Sequence, residues 1–333
     1  MNPILNNTNY TNNAEHQAID NNTDRRTSAV SQEILQQSTN EPAPKRIRLD
    51  REEISAENLR DFLAKWKPTG TAEETKNLIY DCFITGAEEL DLSESALDSI
   101  PNLSFLTNVV ELDLSKNQLS SISRSFLPPN LERLYAPENQ LIFASLPVSL
   151  TELDLEKNLF ETVPNISHLH NLTYLNLAEN NLLSISSYIS TCKNLKSLIL
   201  SNNLLCSFPD SLDQLENLNS LDLSFNKITT LSEMVHRLRR LTQLDLSHNL
   251  LTSLHFNAFN EVPLLHLQLE GNPFSTIPRI SYPSSLTTLC FSRRILSADF
   301  ADGPFLFLPH CWVWFAPSAG ESVPNFFGIP LDL

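Results

Sequence analysis

From Glu88 onward apolar residues recur in a fixed short pattern, L-x-x-L-x-L-x-x-N-x-L, with occasional Val, Ala, Ile or Phe in place of Leu. It reads "VVELDLSKNQL", "LERLYAPENQL", "LTELDLEKNLF" and "LTYLNLAENNL", then "LKSLILSNNLL", "LNSLDLSFNKI", "LTQLDLSHNLL" and "LLHLQLEGNPF". Its asparagines are Asn117, Asn139, Asn158, Asn180, Asn203, Asn226, Asn249 and Asn272, spaced by 22, 19, 22, 23, 23, 23 and 23 residues. The L-x-L alternation predicts a short strand whose leucines point inward and whose intervening residues point outward. A short amide at the bend is positioned to bond backbone groups that the turn leaves unpaired. Ile122, Val163, Ile185, Phe208, Leu231, Leu254 and Ile277 are predicted to close each coil on the far side. "AEELDLSESAL" is an earlier copy with Ser95 in place of the amide, and "LTTLCFSRRIL" is a decayed later one.

No such coil has a core of its own, so neighbours must stack and the ends must be capped. The predicted fold is an α/β solenoid, a leucine-rich-repeat horseshoe of about nine to ten repeats over residues 87–296. Upstream, "SAENLRDFLAKW" opens on a Ser cap and sets Leu59, Phe62, Leu63 and Trp66 on one helical stripe. "TAEETKNLIYDCF" predicts a second helix, capped at Thr71 or Thr75. Residues 51–86 thus form an N-terminal helical cap. Residues 1–50, rich in Asn, Thr, Ser and Gln, bury too little apolar surface to offset ordering entropy and are expected to be a disordered leader. Residues 297–333 hold eight aromatic residues in 37, with no regular period, and are expected to be a C-terminal cap or tail.

Composition narrows the function. With a net charge of −16 and no basic stripe, direct nucleic-acid binding is disfavoured. Six glycines and no Gly-rich phosphate-loop string argue against a nucleotide cofactor, and no cofactor is expected. Cys82, Cys192, Cys206, Cys290 and Cys311 are odd in number and without C-x-x-C, and read as small buried apolar residues. No apolar run reaches membrane-spanning length, and the N-terminus lacks the charged start and apolar stretch of a signal peptide.

The chain resembles the leucine-rich-repeat effectors that bacteria inject into host cells. The likeness rests on the helical pair ending in "TGAEELDLSESALDSIP", on the repeats "LPPNLERLYAPENQL" and "SLPVSLTELDLEKNLFETVP", on the 19-residue step, and on the polar leader. It implies secretion by a bacterium and action in the host cytoplasm or nucleus. Later 23-residue repeats such as "SFPDSLDQLENLNSLDLSFNKI" look equally like eukaryotic intracellular repeats. Some effectors of this kind continue into a cysteine-dependent ubiquitin ligase domain. Here 37 residues follow Leu296, no C-x-D string occurs, and Cys311 lies in "PHCWVWF", where apolar neighbours would keep its thiol protonated. The chain is therefore read as no enzyme.

Function is then expected on the outward strand positions. One column is Asp91, Asp113, Tyr135, Asp154, Asn176, Ile199, Asp222, Asp245 and Gln268; a parallel one is Glu89, Glu111, Arg133, Glu152, Tyr174, Ser197, Ser220, Gln243 and His266. Toward the bend sit Lys116, Glu138, Lys157, Phe225 and His248. The expected protein-binding residues are Arg133, Tyr135, Asp154, Tyr174, Asn176, Ile199, Asp222, Phe225, Asp245 and His266, since aromatic and Arg residues breaking an acidic consensus are typical contact anchors. The partner is expected to be a host protein held on the concave face; oligomeric state is not legible. Ahead of the helices, "PAPKRIRLD" resembles a short nuclear-import signal, which implies that Lys45, Arg46 and Arg48 engage an import receptor. Alternatives are the recognition part of a ubiquitin ligase, or a eukaryotic scaffold acting on a phosphatase or small GTPase.

Overall fold

A computed structural model describes residues 55–68, 72–292, 312–316 and 329–330. The chain divides into two units, Met1–Glu53 and Ile54–Leu333. The leader, with Lys45, Arg46 and Arg48, lies outside the described residues, as do His310 and Cys311.

Helix α1 is Ala56–Lys65; the Ser55 hydroxyl accepts from the Asn58 N–H at 3.2 Å, and Glu57 and Lys65 suit the two ends of its dipole. It buries Leu59 and Leu63. Helix α2, Ala72–Thr85, stops where Gly86 takes φ 67° and the Ala87 N–H returns to the Cys82 carbonyl at 3.2 Å, a left-handed cap open to glycine. Thr75, one of two predicted caps, is instead buried inside this helix. Phe62 and Phe83 meet Phe105 edge to face at 6.1 and 5.9 Å, fastening the helices to the first coils.

Each L-x-L string forms a strand. The strands are β1 (Glu89–Asp91), β2 (Glu111–Asp113), β4 (Arg133–Tyr135), β6 (Glu152–Asp154), β7 (Tyr174–Asn176) and β8 (Ser197–Ile199), then β9 (Ser220–Asp222), β10 (Gln243–Asp245), β11 (His266–Gln268) and β12 (Thr288–Ser292). They pair in parallel, in chain order, with every central leucine opposite the next. That is the solenoid the sequence predicted. The far side absorbs differences in coil length. In the shorter coils it carries two-residue strands β3 (Ser121–Ile122) and β5 (Phe143–Ala144), paired in parallel. Single 3-10 turns lie at Ser187–Thr191, Asp210–Gln214 and Glu233–Arg237 in three of the 23-residue coils, and another at Arg124–Phe126 follows β3 in a 22-residue one. Ile122, Val163, Phe208 and Ile277 are buried there; Ile185, Leu231 and Leu254 pack half-buried against the same core.

The asparagines bind neighbouring coils together. Asn203 is typical: its Nδ2 donates to the carbonyls of Leu177 (2.9 Å), Leu200 (3.1 Å) and Ser201 (3.2 Å), while its Oδ1 accepts from the Leu182 N–H at 3.0 Å. All eight are 2–8% exposed. Ser95, in the first coil, reaches the Ser93 carbonyl at 3.1 Å. Among the described residues β1 is the first strand of the sheet, so this coil has no preceding strand to tie to.

Two strands are described within the tail. Trp312–Ala316 forms β13, parallel to β12, with Val313 buried in the leucine position; Ile329–Pro330 forms β14, antiparallel to β13. The W-V-W alternation is a strand period, masked in the sequence because neither Leu nor Asn marks it. The expectation of buried cysteines holds for Cys82 and Cys192, whose thiol pKa values burial raises, whereas Cys206 is exposed and Cys290 half-buried at an outward strand position.

Candidate functional site

Strand register turns the predicted columns into physical ones. Arg133 lies between Glu111 and Glu152, Tyr174 between Glu152 and Ser197, and His266 between Gln243 and Thr288. Asp113, Tyr135, Asp154, Asn176, Ile199, Asp222, Asp245 and Gln268 are likewise consecutive.

In the N-terminal part the side chains form a charged network. Arg133 Nε donates to Glu111 Oε2 at 2.6 Å, which raises the guanidinium pKa further, and Tyr135 Oη donates to Glu152 Oε2 at 3.1 Å. Burial, then that bond to a carboxylate, pushes the Tyr135 phenol up to about 12. Burial also raises the Tyr174 phenol, beside Asp154 and Glu156.

The aspartate column has a structural duty. At the exit of each strand the carboxylate accepts the backbone N–H two residues on: Asp91 from Ser93 (2.8 Å), Asp113 from Ser115 (2.7 Å), Asp154 from Glu156 (2.9 Å), Asp222 from Ser224 (2.8 Å) and Asp245 from Ser247 (2.8 Å). Asn176 repeats the bond with Ala178 at 3.0 Å and turns its Nδ2 to Asp154 Oδ2 (3.2 Å) and Glu156 Oε2 (3.1 Å). At 4% exposed, Asn176 holds its neighbours in place more than it presents a surface. Tyr135 and Ile199 break the column and display larger side chains instead. Asp154, Asp245 and Glu270 are raised chiefly by burial, and Glu270 Oε2 is buried without a partner among the described residues.

One recurring feature escaped sequence reading. The residue before each bend asparagine takes a left-handed backbone: Lys116, Glu138, Lys157, Glu179, Asn202, Phe225 and His248 have φ of 50–54°, and Gly271 has 73°. Only Gly271 signals this in the sequence; elsewhere the coil-to-coil bonds hold the conformation on side chains that rarely adopt it. Lys116 pairs with Glu94 and Lys157 with Glu138 at 3.8 Å. Farther along, the Phe225 and His248 rings stack at 4.2 Å, 9° apart, and His248 in turn covers Gly271, where any Cβ would strike its ring.

The register thus brings Asn176, Ile199 and Phe225 to one place. With Glu156, Ala178, Glu179, Ser201, Asn202 and Ser224 they line a shallow depression of about 380 Å³. Arg133, Tyr135, Asp154 and Tyr174 form a neighbouring cluster, and His266 lies apart, three strands beyond Ile199. Trp312, 49% exposed, extends the Arg133–Tyr174–His266 column past Thr288, a contact candidate that sequence reading missed. The far-side arginines are engaged: Arg237 with Asp213 (2.8 Å), Arg240 with Asn217 (2.8 Å) and Arg239 with Glu261 (3.1 Å). Among the described residues no group of three His, Cys, Asp or Glu is arranged to hold a metal ion, and no helix is long and apolar enough to cross a membrane.

The sequence profile of the leucine rich repeat matches residues 170–228 and 217–274. No curated protein sequence matches the chain. Among solved structures, the functional domain of InlJ from Listeria monocytogenes is similar at TM-score 0.55 and 22% identity, over 78% of this chain and 61% of that one. A plant peptide hormone receptor, RGFR1 in complex with RGF2, is similar at 0.51 and 24%, over 66% of this chain and 38% of that one. A leucine-rich-repeat protein of Leptospira interrogans aligns at TM-score 0.48 and 24% identity, over 71% and 74%. The chain carries leucine-rich repeats, and its fold is similar to those of InlJ and the plant receptor.

Proposed function

We propose that this chain is a non-enzymatic interaction module that holds a partner protein against the outward face of its sheet, and that it serves as a bacterial effector inside a host cell, in cytoplasm, nucleus or both. The supporting observation is the face itself. Across the two outward columns of strands β1 to β12 and the position two residues past each exit residue, ten carboxylates (Glu89, Asp91, Glu111, Asp113, Glu152, Asp154, Glu156, Asp222, Asp245, Glu270) stand beside a single guanidinium, Arg133. Arg133 is already bonded to Glu111. Set among these charges, Tyr135, Tyr174, Ile199 and Phe225 supply the apolar and aromatic area from which binding energy comes. An acidic rim around such anchors speeds encounter with a basic surface and gives weaker, salt-dependent gains in affinity. The plant receptor solved with a peptide hormone shows the same scaffold carrying a polypeptide ligand. The effector role rests on the resemblance of the helical cap, the short repeats and the polar leader.

The test compares proteins captured from host-cell lysate by the wild type and by the triple variant Tyr135→Ala/Tyr174→Ala/Phe225→Ala. The specific set is expected to be lost; an unchanged set overturns the assignment of the face. A tagged Lys45→Ala/Arg46→Ala/Arg48→Ala variant is expected to lose nuclear enrichment, and an unchanged distribution removes the nucleus from the proposal.

A further inference from the structure

The depression between Glu179 and Phe225 has chemistry more specific than the face around it. Ile199 and Ala178 are among its lining residues, and the position held by Glu156 at its near end becomes Ala178, Ser201 and Ser224 in the next three coils, which leaves the space open. One wall is acidic, Glu156 and Glu179; the other is the Phe225 ring, 54% exposed. That ring adjoins Ile199 in the lining, so the depression offers apolar area beside its carboxylates. Phe225 is held rigidly, by its left-handed backbone, by the bond from its N–H to the Ser247 carbonyl at 3.0 Å and by the His248 ring stacked behind it.

The left-handed column explains why a cation fits. From Glu94 through Lys116, Glu138 and Lys157 to Glu179 its charges alternate, and each lysine pairs with the carboxylate before it. The next position, where the alternation calls for a third cation, is Asn202. Glu179 therefore ends the series beside a neutral residue, at the lip of the depression and facing Phe225 across it.

We infer that an arginine or lysine from an extended segment of the partner protein fills this place, its cation against Glu179 and Glu156 and its stem or guanidinium plane over Ile199 and Phe225. Both halves of such a side chain are served: carboxylates give charge-assisted hydrogen bonds, and a ring face attracts a cation while its apolar edge packs the methylenes. The depression runs across four coils, about 15 Å at the usual strand separation, enough for roughly four or five extended residues. The inference rests on the interaction reading above and names the chemistry of its ligand.

The experiment pans a phage-displayed library of random linear peptides on the full-length chain. Recovered peptides are then measured by fluorescence anisotropy against wild type, Glu179→Gln and Phe225→Ala, with an arginine-to-citrulline version of each. The expected result is enrichment of a basic residue beside an apolar one, with a roughly tenfold loss of affinity for either variant or for citrulline. Glu179→Gln preserves size and is exposed, so its loss cannot be assigned to misfolding; circular dichroism checks Phe225→Ala. Failure to enrich basic peptides, or equal binding by both variants, overturns the inference. Peptides that lose binding with Tyr135→Ala/Tyr174→Ala but not with Glu179→Gln or Phe225→Ala leave the face as the interaction surface and remove only the basic anchor.

Discussion

Two ladders of short polar side chains run along this sheet, and they do different work with nearly the same atoms. The asparagine ladder lies inside, and each amide ties its own coil to the one before. The aspartate ladder lies half outside, and each carboxylate closes its own turn, with Asp154 also accepting from Asn176 of the next coil. Their chemistry explains the division. The interior needs donors for carbonyls and an acceptor for an N–H together, which an amide supplies and an ionised carboxylate cannot. The strand exit needs only an acceptor, and there the charge keeps access to water.

The sharpest way to break the comparison is to swap the residues. Asn203→Asp keeps the acceptor for Leu182 but removes three donated bonds and buries a charge, so it is expected to cost more at pH 7 than Asn203→Ala and to regain part of the loss in acid. Asn203→Ala itself should cost about 3 kcal/mol or more, because backbone groups in two coils lose partners with no water to replace them. Urea unfolding with amide exchange at Leu182 measures both; a cost below that of an exposed cap would show the ladder to be ornamental.

A smaller effect is expected at Asp222→Ala, about 1 kcal/mol, since only one bond, from the Ser224 N–H, is lost. The smallest sharpens the role of charge. Asp245 has its pKa raised by burial and by Asp222, so the fold holds this proton more tightly than the unfolded chain does. Stability contributed by that group falls as pH rises from the ordinary carboxylate range through the raised value, and returns as pH falls. Asp245→Asn, which keeps the bond to Ser247 as Asn176 does with Ala178, should therefore gain stability at pH 7 by less than about 1 kcal/mol. The gain should vanish in acid. A loss at pH 7 would mean that the carboxylate is favourably placed.

The comparison also marks how far the sequence could be read. Inward leucines and bend asparagines were legible because each coil repeats them at nearly one interval. Strand β13 was not, since "CWVWF" has the alternation but neither signature residue. The left-handed column was hidden because Glu, Lys, Asn, Phe and His occupy a conformation normally announced by glycine. Of the candidate contacts, Tyr135, Ile199 and Phe225 were found as departures from consensus. The depression that Ile199 and Phe225 help shape also depends on Glu156 and Glu179; Glu156, Glu179 and Phe225 lie 23 and 46 residues apart and meet only because the coils stack.

The first coil suggests how such a chain can lengthen over evolutionary time. Each of the eight coils from Asn117 to Asn272 carries the amide that satisfies its predecessor, so duplicating or deleting one of them whole leaves no bond unanswered, whether the copy has 19 residues or 23. The coil with Ser95 lacks that amide and bears the docking ring of Phe105 for the helices. It suits the beginning and nowhere else. The array can be edited behind its first coil by gene duplication, with a new pair of outward residues displayed by each insertion, while its starting point stays fixed.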